Sequence, residues 1–250
     1  MQFSRAMLAA IAVSLALASR PANAQQYTAQ NLHTFPAWND QYSRSSDASG
    51  PGMKLVAGPD GTLYGQSFLG GANGEGAIFS YKNGVETLLY SFAALDNNKK
   101  NTYGAGPETS LVVGSDGSLY GASEYGGANG SGAIYKWKSG AISLIHTYPS
   151  APVGESHLTI GPSDVLYGVN YSGGAHESGQ IFKVQNGSFA DLYDFHDPIT
   201  PGSVPDGGFP AAAPTLAADG TLYGTASGGG TLHGTIYKFA NGALTILHTF

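Results

Sequence analysis

The 250-residue chain contains no cysteine. That excludes disulfide staples, a thiolate nucleophile and a Cys-ligated metal, as well as a lipid anchor attached through cysteine. Charge is scarce: Asp, Glu, Lys and Arg make up 11% of the residues, against about 25% in an average soluble protein. The surface must therefore draw its polarity from Gly, Ser, Thr, Asn and Tyr. Basic residues are the scarcer sign, 11 against 17 acidic, and they do not cluster beyond Lys99-Lys100. With a net charge of −6, this excludes a phosphate-tracking surface for nucleic acid and leaves anionic lipid nothing to attract.

Glycine and aromatics are plentiful instead. The 37 Gly and 13 Pro amount to one residue in five, where about 12% is usual. Glycine costs roughly 1 kcal/mol per helix-interior site relative to alanine, so a helical bundle is excluded. Hydrophobic residues at 42%, with 11% aromatics, are too many for a disordered chain. Turn-rich all-β structure remains.

The first 24 residues read as a secretory signal. Arg5 gives a positive start, Met7 to Ser19 an apolar stretch, and Ala22-Asn23-Ala24 a small-x-small cleavage site before Gln25. The apolar run is too short to span a bilayer, and Pro21 ends it. Cleavage leaves 9 basic against 17 acidic residues, a net charge of −8. No second apolar segment follows, so a secreted or periplasmic protein without membrane insertion is expected.

Internal periodicity is the strongest signal. Leu-Tyr-Gly recurs at 63–65, 119–121, 166–168 and 222–224, at spacings of 56, 47 and 56 residues. An apolar stretch ending in an aromatic recurs as Leu32–Phe35, Leu89–Phe92, Ile145–Tyr148, Leu192–Phe195 and Leu247–Phe250, with Gly-Gly pairs between the two markers. Four units result, about 36–92, 93–148, 149–195 and 196–250, within one repeat domain spanning 25–250. Each parses into four short strands. In the second unit these are Ser110–Val113, Ser118–Ser123, Ala133–Lys138 and Ile142–Tyr148.

The first hairpin of a unit turns at Asp60-Gly61, Asp116-Gly117 or Asp219-Gly220. The last turns at Asn83-Gly84, Ser139-Gly140, Asn186-Gly187 or Asn241-Gly242. Such pairs tolerate the positive φ that two-residue hairpins need. Four strands per repeat of about 50 residues mark a propeller blade, with a sandwich or solenoid second. The expected fold is all-β, a β-propeller-like array of four four-stranded repeats plus one extra N-terminal strand at Gln30–Phe35. Seventeen strands then leave two expectations: an extra edge strand, or a natural end beyond residue 250.

The Asp-Gly-Ser/Thr-Leu-Tyr-Gly core, the Gly-Gly-x-x-x-x-Gly loop and the strand leading to Leu-His-Thr-Phe resemble the GloVer tandem-repeat proteins of bacteria, called "choice-of-anchor" because members end in different surface-sorting segments. The resemblance covers essentially all of 30–250. It implies an exported β-propeller-like protein and brings no settled biochemical activity. The chain departs from that family's pattern in showing no C-terminal anchor, and in carrying Ser163-Asp164-Val165 where other units have Asp-Gly-Ser/Thr.

Because strands alternate in direction, tight turns fall on one face. The Gly-Gly loops and long unit-to-unit connections fall on the other, where binding groups usually sit. Candidate ligand-binding residues there are Trp38, Asp40 and Tyr42 from the first connection, and Asp96, Tyr103 and Glu108 from the second. His157 comes from the third, His196 and Asp197 from the fourth, and His176 and His233 from middle loops. Aromatics mixed with carboxylates suit a hydroxyl-rich ligand, so the expected partner is a polysaccharide or a cell-surface protein.

No catalytic constellation is apparent. A carboxylate pair for glycoside hydrolysis is the alternative, and a structural envelope component a third reading. The repeated turn aspartates lack the alternating oxygens of a calcium loop. His33, His146 and His248 share a strand slot with Tyr90 and Tyr193 and read as packing rings. No metal and no cofactor are expected.

Overall fold

The structure, a computed structural model, describes residues 28–35, 47–52, 54–149, 154–196, 206–228 and 233–250. The expected signal segment 1–24 lies outside the described residues. The chain divides after Leu32 into two units. Of the first, the described residues 28–32 are exposed and carry no strand.

The second unit, from His33 onward, is built of antiparallel sheets. The first sheet contains β1 (Ala48–Pro51), β2 (Val56–Ala57), β3 (Leu63–Gly70), β4 (Ala77–Lys82) and β5 (Val85–Ser91). The second contains β6 (Val112–Val113), β7 (Leu119–Ser123), β8 (Ala133–Lys138) and β9 (Ala141–Thr147). The third contains β10 (Ser156–Ile160), β11 (Leu166–Asn170), β12 (Gln180–Gln185) and β13 (Ser188–Asp194). The fourth contains β14 (Thr215–Leu216), β15 (Leu222–Ala226), β16 (Thr235–Ala240) and β17 (Ala243–Thr249). In the first sheet β1 and β2 share one edge of β3, so all four sheets are four strands wide. Among the described residues there is no α-helix, only a 3-10 turn at Pro162–Asp164.

The turns form where the sequence places them. Asn83, Ser139, Asn186 and Asn241 all sit at φ near +50°, each followed by a glycine at positive φ, as a two-residue hairpin requires. At the other turn, the Asp60 carboxylate accepts a hydrogen bond from the Thr62 amide at 3.0 Å, and Asp116 does the same for Ser118 at 2.9 Å. Lys82 and Lys138 reach back to these two acids. These aspartates hold turns, as their spacing predicts.

One expectation is corrected. Gln30–Phe35 is not a strand. None of the described residues 28–35 joins a ladder, and β5 remains the edge of the first sheet. His33 and Phe35 are held through their side chains instead.

Among the described residues the core is divided: three hydrophobic clusters each straddle two successive sheets, and a fourth joins Phe35 to Ala48, Ala77 and Phe79 of the first sheet. Ile78 and Phe92 pack with Leu111, Leu119 and Tyr135; Tyr120, Ile134 and Tyr148 with Leu158, Leu166 and Phe182; Val169, Ile181 and Phe195 with Leu222, Tyr237 and Phe239. The ring that ends one unit inserts beside the third-strand ring of the next. Phe92 meets Tyr135 edge-on at 5.1 Å, Phe195 meets Tyr237 at 5.3 Å, and Phe35 meets Phe79 at 5.2 Å. Such pairs add to area burial in their own right.

The glycine of Leu-Tyr-Gly makes room for this ring. A Cβ on Gly121 would stand 2.6 Å from the Tyr135 hydroxyl, and Gly65, Gly168 and Gly224 face Phe79, Phe182 and Tyr237 in the same register. Polar bonds also cross the seams: Tyr135 Oη donates to Gln66 Oε1 at 2.6 Å, Thr109 Oγ1 to the Ser156 carbonyl at 2.9 Å, and Thr159 Oγ1 to the Pro214 carbonyl. Even the irregular turn of the third unit serves a seam. Ser163 and Asp164 both take positive φ, and the Asp164 carboxylate accepts from the Ser115 amide and hydroxyl of the second unit at 2.8 and 2.9 Å.

Candidate functional site

The second strand of each sheet runs through Leu-Tyr-Gly to the Gly-Gly loop, and the residues just before that loop stand at its rim. They are Phe68-Leu69, Glu124-Tyr125, Tyr171-Ser172 and Ser227-Gly228. The frame around them repeats while these positions vary. Phe68 and Tyr125 face each other edge-on at 6.2 Å, and Tyr171 and Phe209 lie 5.5 Å apart. Tyr125 and Tyr171 are both about two-fifths exposed, unlike the rings of the seams.

A group of acids lies with them. Burial raises the Glu108 carboxyl above its ordinary range, and the charges of Glu155 and Glu124 push it further. Burial also raises Glu124, with Glu155 adding to the rise and a hydrogen bond to Tyr125 opposing it. The Tyr125 hydroxyl is pushed up to about 12 by burial and by Glu124. His157, buried, has Nε2 3.1 Å from Glu155 Oε2, near enough for an ion pair but not aligned as a hydrogen bond. Burial depresses its pKa and Glu155 offsets part of that. The Tyr171 amide donates to the Glu155 carbonyl at 3.0 Å. Tyr125 thus adjoins Glu108 and Glu124, and Tyr171 adjoins Glu155. The carboxyls offer hydrogen-bonding oxygens, and flanking aromatics offer flat apolar faces.

Of the residues singled out from sequence, Glu108 and His157 belong to this group. His176 and His196 form a second one, stacked at 4.4 Å. There the buried Asp206 carboxylate accepts from Tyr193 Oη at 2.7 Å and from the His196 amide at 3.0 Å, and lies 2.7 Å from His196 Nδ1. That arrangement fixes the His196 ring and could steady it for proton transfer. Asp96 is turned into its own loop, its carboxylate accepting from the amides of Asn98 and Lys100 at 2.8 Å. Tyr103 packs against the first seam 6.5 Å from Tyr90. His233 is exposed in the turn before β16. Trp38, Asp40, Tyr42 and Asp197 lie outside the described residues. Sequence reading missed Glu124, Tyr125 and Tyr171; their signal was variation at a fixed place in an otherwise constant frame.

Among the described residues no helix is long and apolar enough to cross a membrane. Fold and repeat together define an all-β tandem-repeat protein. A model of the Gloeobacter/Verrucomicrobia repeat matches residues 94–250, and the chain belongs to that family. Among solved structures, it is similar to a protein of unknown function from Dyadobacter fermentans DSM 18053, at 14% identity and a TM-score of 0.44 over 80% of this chain and 64% of that one. It is also similar to PorZ, a surface component of the type-IX secretion system of Porphyromonas gingivalis, at 15% identity and a TM-score of 0.45 over 78% of this chain and 25% of that one. The chain spans less than two thirds of either structure's length. No curated protein matches it.

Proposed function

We propose that the chain is an exported, β-propeller-like protein that binds a hydroxyl-rich extracellular ligand, a polysaccharide or a glycosylated surface partner, through its long-loop face, without catalysis. The observation that carries this reading is the placement of two exposed tyrosines, Tyr125 beside Glu108 and Glu124, whose carboxyls burial raises, and Tyr171 against the Glu155 backbone carbonyl. Rings supply stacking area at low entropic cost. The carboxyls supply hydrogen-bonding oxygens to sugar hydroxyls. The blade-like arrangement is supported by sheets that pack in chain order, β2 on β6, β6 and β7 on β10, and β10 on β14. Export rests on the N-terminal sequence.

The same glutamates favour a second reading, a glycoside hydrolase or lyase, because such chemistry needs one carboxyl kept protonated near a second that is not. A depletion assay on a panel of soluble and insoluble polysaccharides, reading bound protein and new reducing ends in the same tubes, separates the two. Retention without new ends is expected, weakened about tenfold, or ~1.4 kcal/mol, by Tyr125→Ala or Tyr171→Ala. New reducing ends that vanish in Glu108→Gln or Glu124→Gln would overturn the non-catalytic reading. Neither signal from folded protein would leave a structural envelope role.

A further inference from the structure

The four outer strands align without a gap: 85–92, 141–148, 188–195 and 243–250. At their second position stand Glu86, Ile142, Phe189 and Leu244. In three units that residue packs against the strand-end ring of the preceding unit. Ile142 shares a core with Tyr90, His146 stacks on Phe189 at 3.8 Å, and Leu244 shares a core with Tyr193. The first sheet receives His33 in the ring position but offers it a carboxylate.

A half-buried acid whose Oε1 is shielded from water is costly unless something pairs with it. A second acid is also present. Asp47, Tyr103 and Asp206 occupy one place in the connections, each four residues before a proline. In the fourth unit the acid is consumed by hydrogen bonds from Tyr193 and His196. In the first unit Asp47 Oδ2 lies 3.4 Å from His33 Nε2, and ligand atoms of His33, Asp47 and Glu86 all fall within 4.8 Å of one another. Among the described residues, neither His33 Nε2 nor Glu86 Oε1 has a hydrogen-bond partner, although both atoms are buried.

We propose that His33, Asp47 and Glu86 bind a first-row divalent cation, with Zn²⁺ as its type, which clips the arm 33–35 onto the first sheet. One imidazole nitrogen and two carboxylate oxygens are a donor set that zinc accepts, leaving a fourth position for water or a ligand's donor. Two donors at ~2 Å from a tetrahedral ion stand about 3.4 Å apart, which is the His33–Asp47 separation. Calcium would want six to eight oxygens, and magnesium an octahedral oxygen shell. Burial, and after it the neighbouring Asp47, push Glu86 up to about 7, and a cation between the two acids relieves their crowding. The site does not depend on the ligand-binding reading, and the histidine slot read from sequence as packing alone acquires a second role. In place of the missing N-terminal strand, a cation would hold the arm that carries Phe35 into the first core.

The test is calorimetric titration of the purified, chelator-treated protein with Zn²⁺, Ca²⁺ and Mg²⁺, with thermal unfolding followed in parallel. Saturable one-to-one Zn²⁺ binding is expected, with a rising Tm as free Zn²⁺ exceeds Kd and no comparable response to Ca²⁺ or Mg²⁺. Glu86→Leu and His33→Tyr install residues that the repeat already uses at these two positions, so both variants should fold. Each is expected to weaken Zn²⁺ binding by tenfold or more. Absence of one-to-one binding, or unchanged affinity in both folded variants, would overturn the proposal. So would loss of binding in His196→Ala, which would move the site to the His176–His196 pair, or Ca²⁺ binding as tight as Zn²⁺.

Discussion

The seam between the first and second sheets and the seam between the third and fourth are built on one plan but differ at one atom pair. In the first, the buried Tyr135 hydroxyl of the incoming sheet donates to Gln66. In the second, Tyr237 occupies the same place, but the residue matching Gln66 is Val169. The Tyr237 hydroxyl, buried, has no hydrogen-bond partner among the described residues. The frame therefore does not need the bond. Ring-on-ring contact is common to both seams, and the polar link is an addition to one.

Deleting the shared element should have the largest effect. Phe92→Ala and Phe195→Ala each remove a fully buried ring that completes the neighbouring sheet's core. Each is expected to cost about 3–5 kcal/mol in denaturant unfolding. A large difference between the two would show that the seams are not equivalent. Removing the polar addition should separate them instead. Tyr135→Phe strands the Gln66 carbonyl and costs about 1–2 kcal/mol, whereas Tyr237→Phe removes an orphaned hydroxyl and is neutral or gains up to about 1 kcal/mol. Equal losses in both would refute the reading of Tyr237 as unpartnered.

The smallest effect expected is on pH dependence. Glu108 and Glu124 have folded pKa values above their ordinary 4.5, so the native state holds protons that the unfolded chain has released. Stability should fall as pH rises above 4.5 through the raised folded values. His157 shifts the opposite way, below its ordinary 6.5, so stability should also fall as pH drops below 6.5. A dip in stability between pH 4.5 and 6.5 follows from these groups, with recovery on either side. In Tm measured against pH, Glu108→Gln with Glu124→Gln should remove the fall that begins at 4.5 and leave the rise toward 6.5 in place.

How much was legible in the sequence depends on how local the cause is. Hairpin turns were legible because positive φ restricts two adjacent residues to a few types, and Asn83-Gly84 satisfies that without help from the rest of the fold. Strand spans in the second unit came out within two residues for the same reason. The N-terminal strand was misread because Leu32–Phe35 carries the right pattern, and pattern alone cannot show that His33 and Phe35 are held by side-chain contacts without a ladder. The glutamate group was half legible. Glu108 and His157 follow from the topology of the long connections, but Glu124 and Tyr125 lie in what reads as strand end. The meeting of His33, Asp47 and Glu86 depends on sheet packing across more than fifty residues. Only the odd carboxylate among Ile142, Phe189 and Leu244 hinted at it.

The passing of each terminal ring into the following sheet also bears on how such a chain can grow. Each unit receives a ring from the segment before it, and the first three each give one to the next, so the gene carries no privileged frame. A stretch of about fifty codons copied in tandem, wherever the copy begins, brings with it one donor ring, one receiving glycine and one pair of hairpins. The new module meets its neighbours through contacts already in use, and only the nearest interfaces are asked to accept it. Length can then vary by whole units while rim residues such as Glu124 and Tyr125 diverge freely, because the seams do not depend on them.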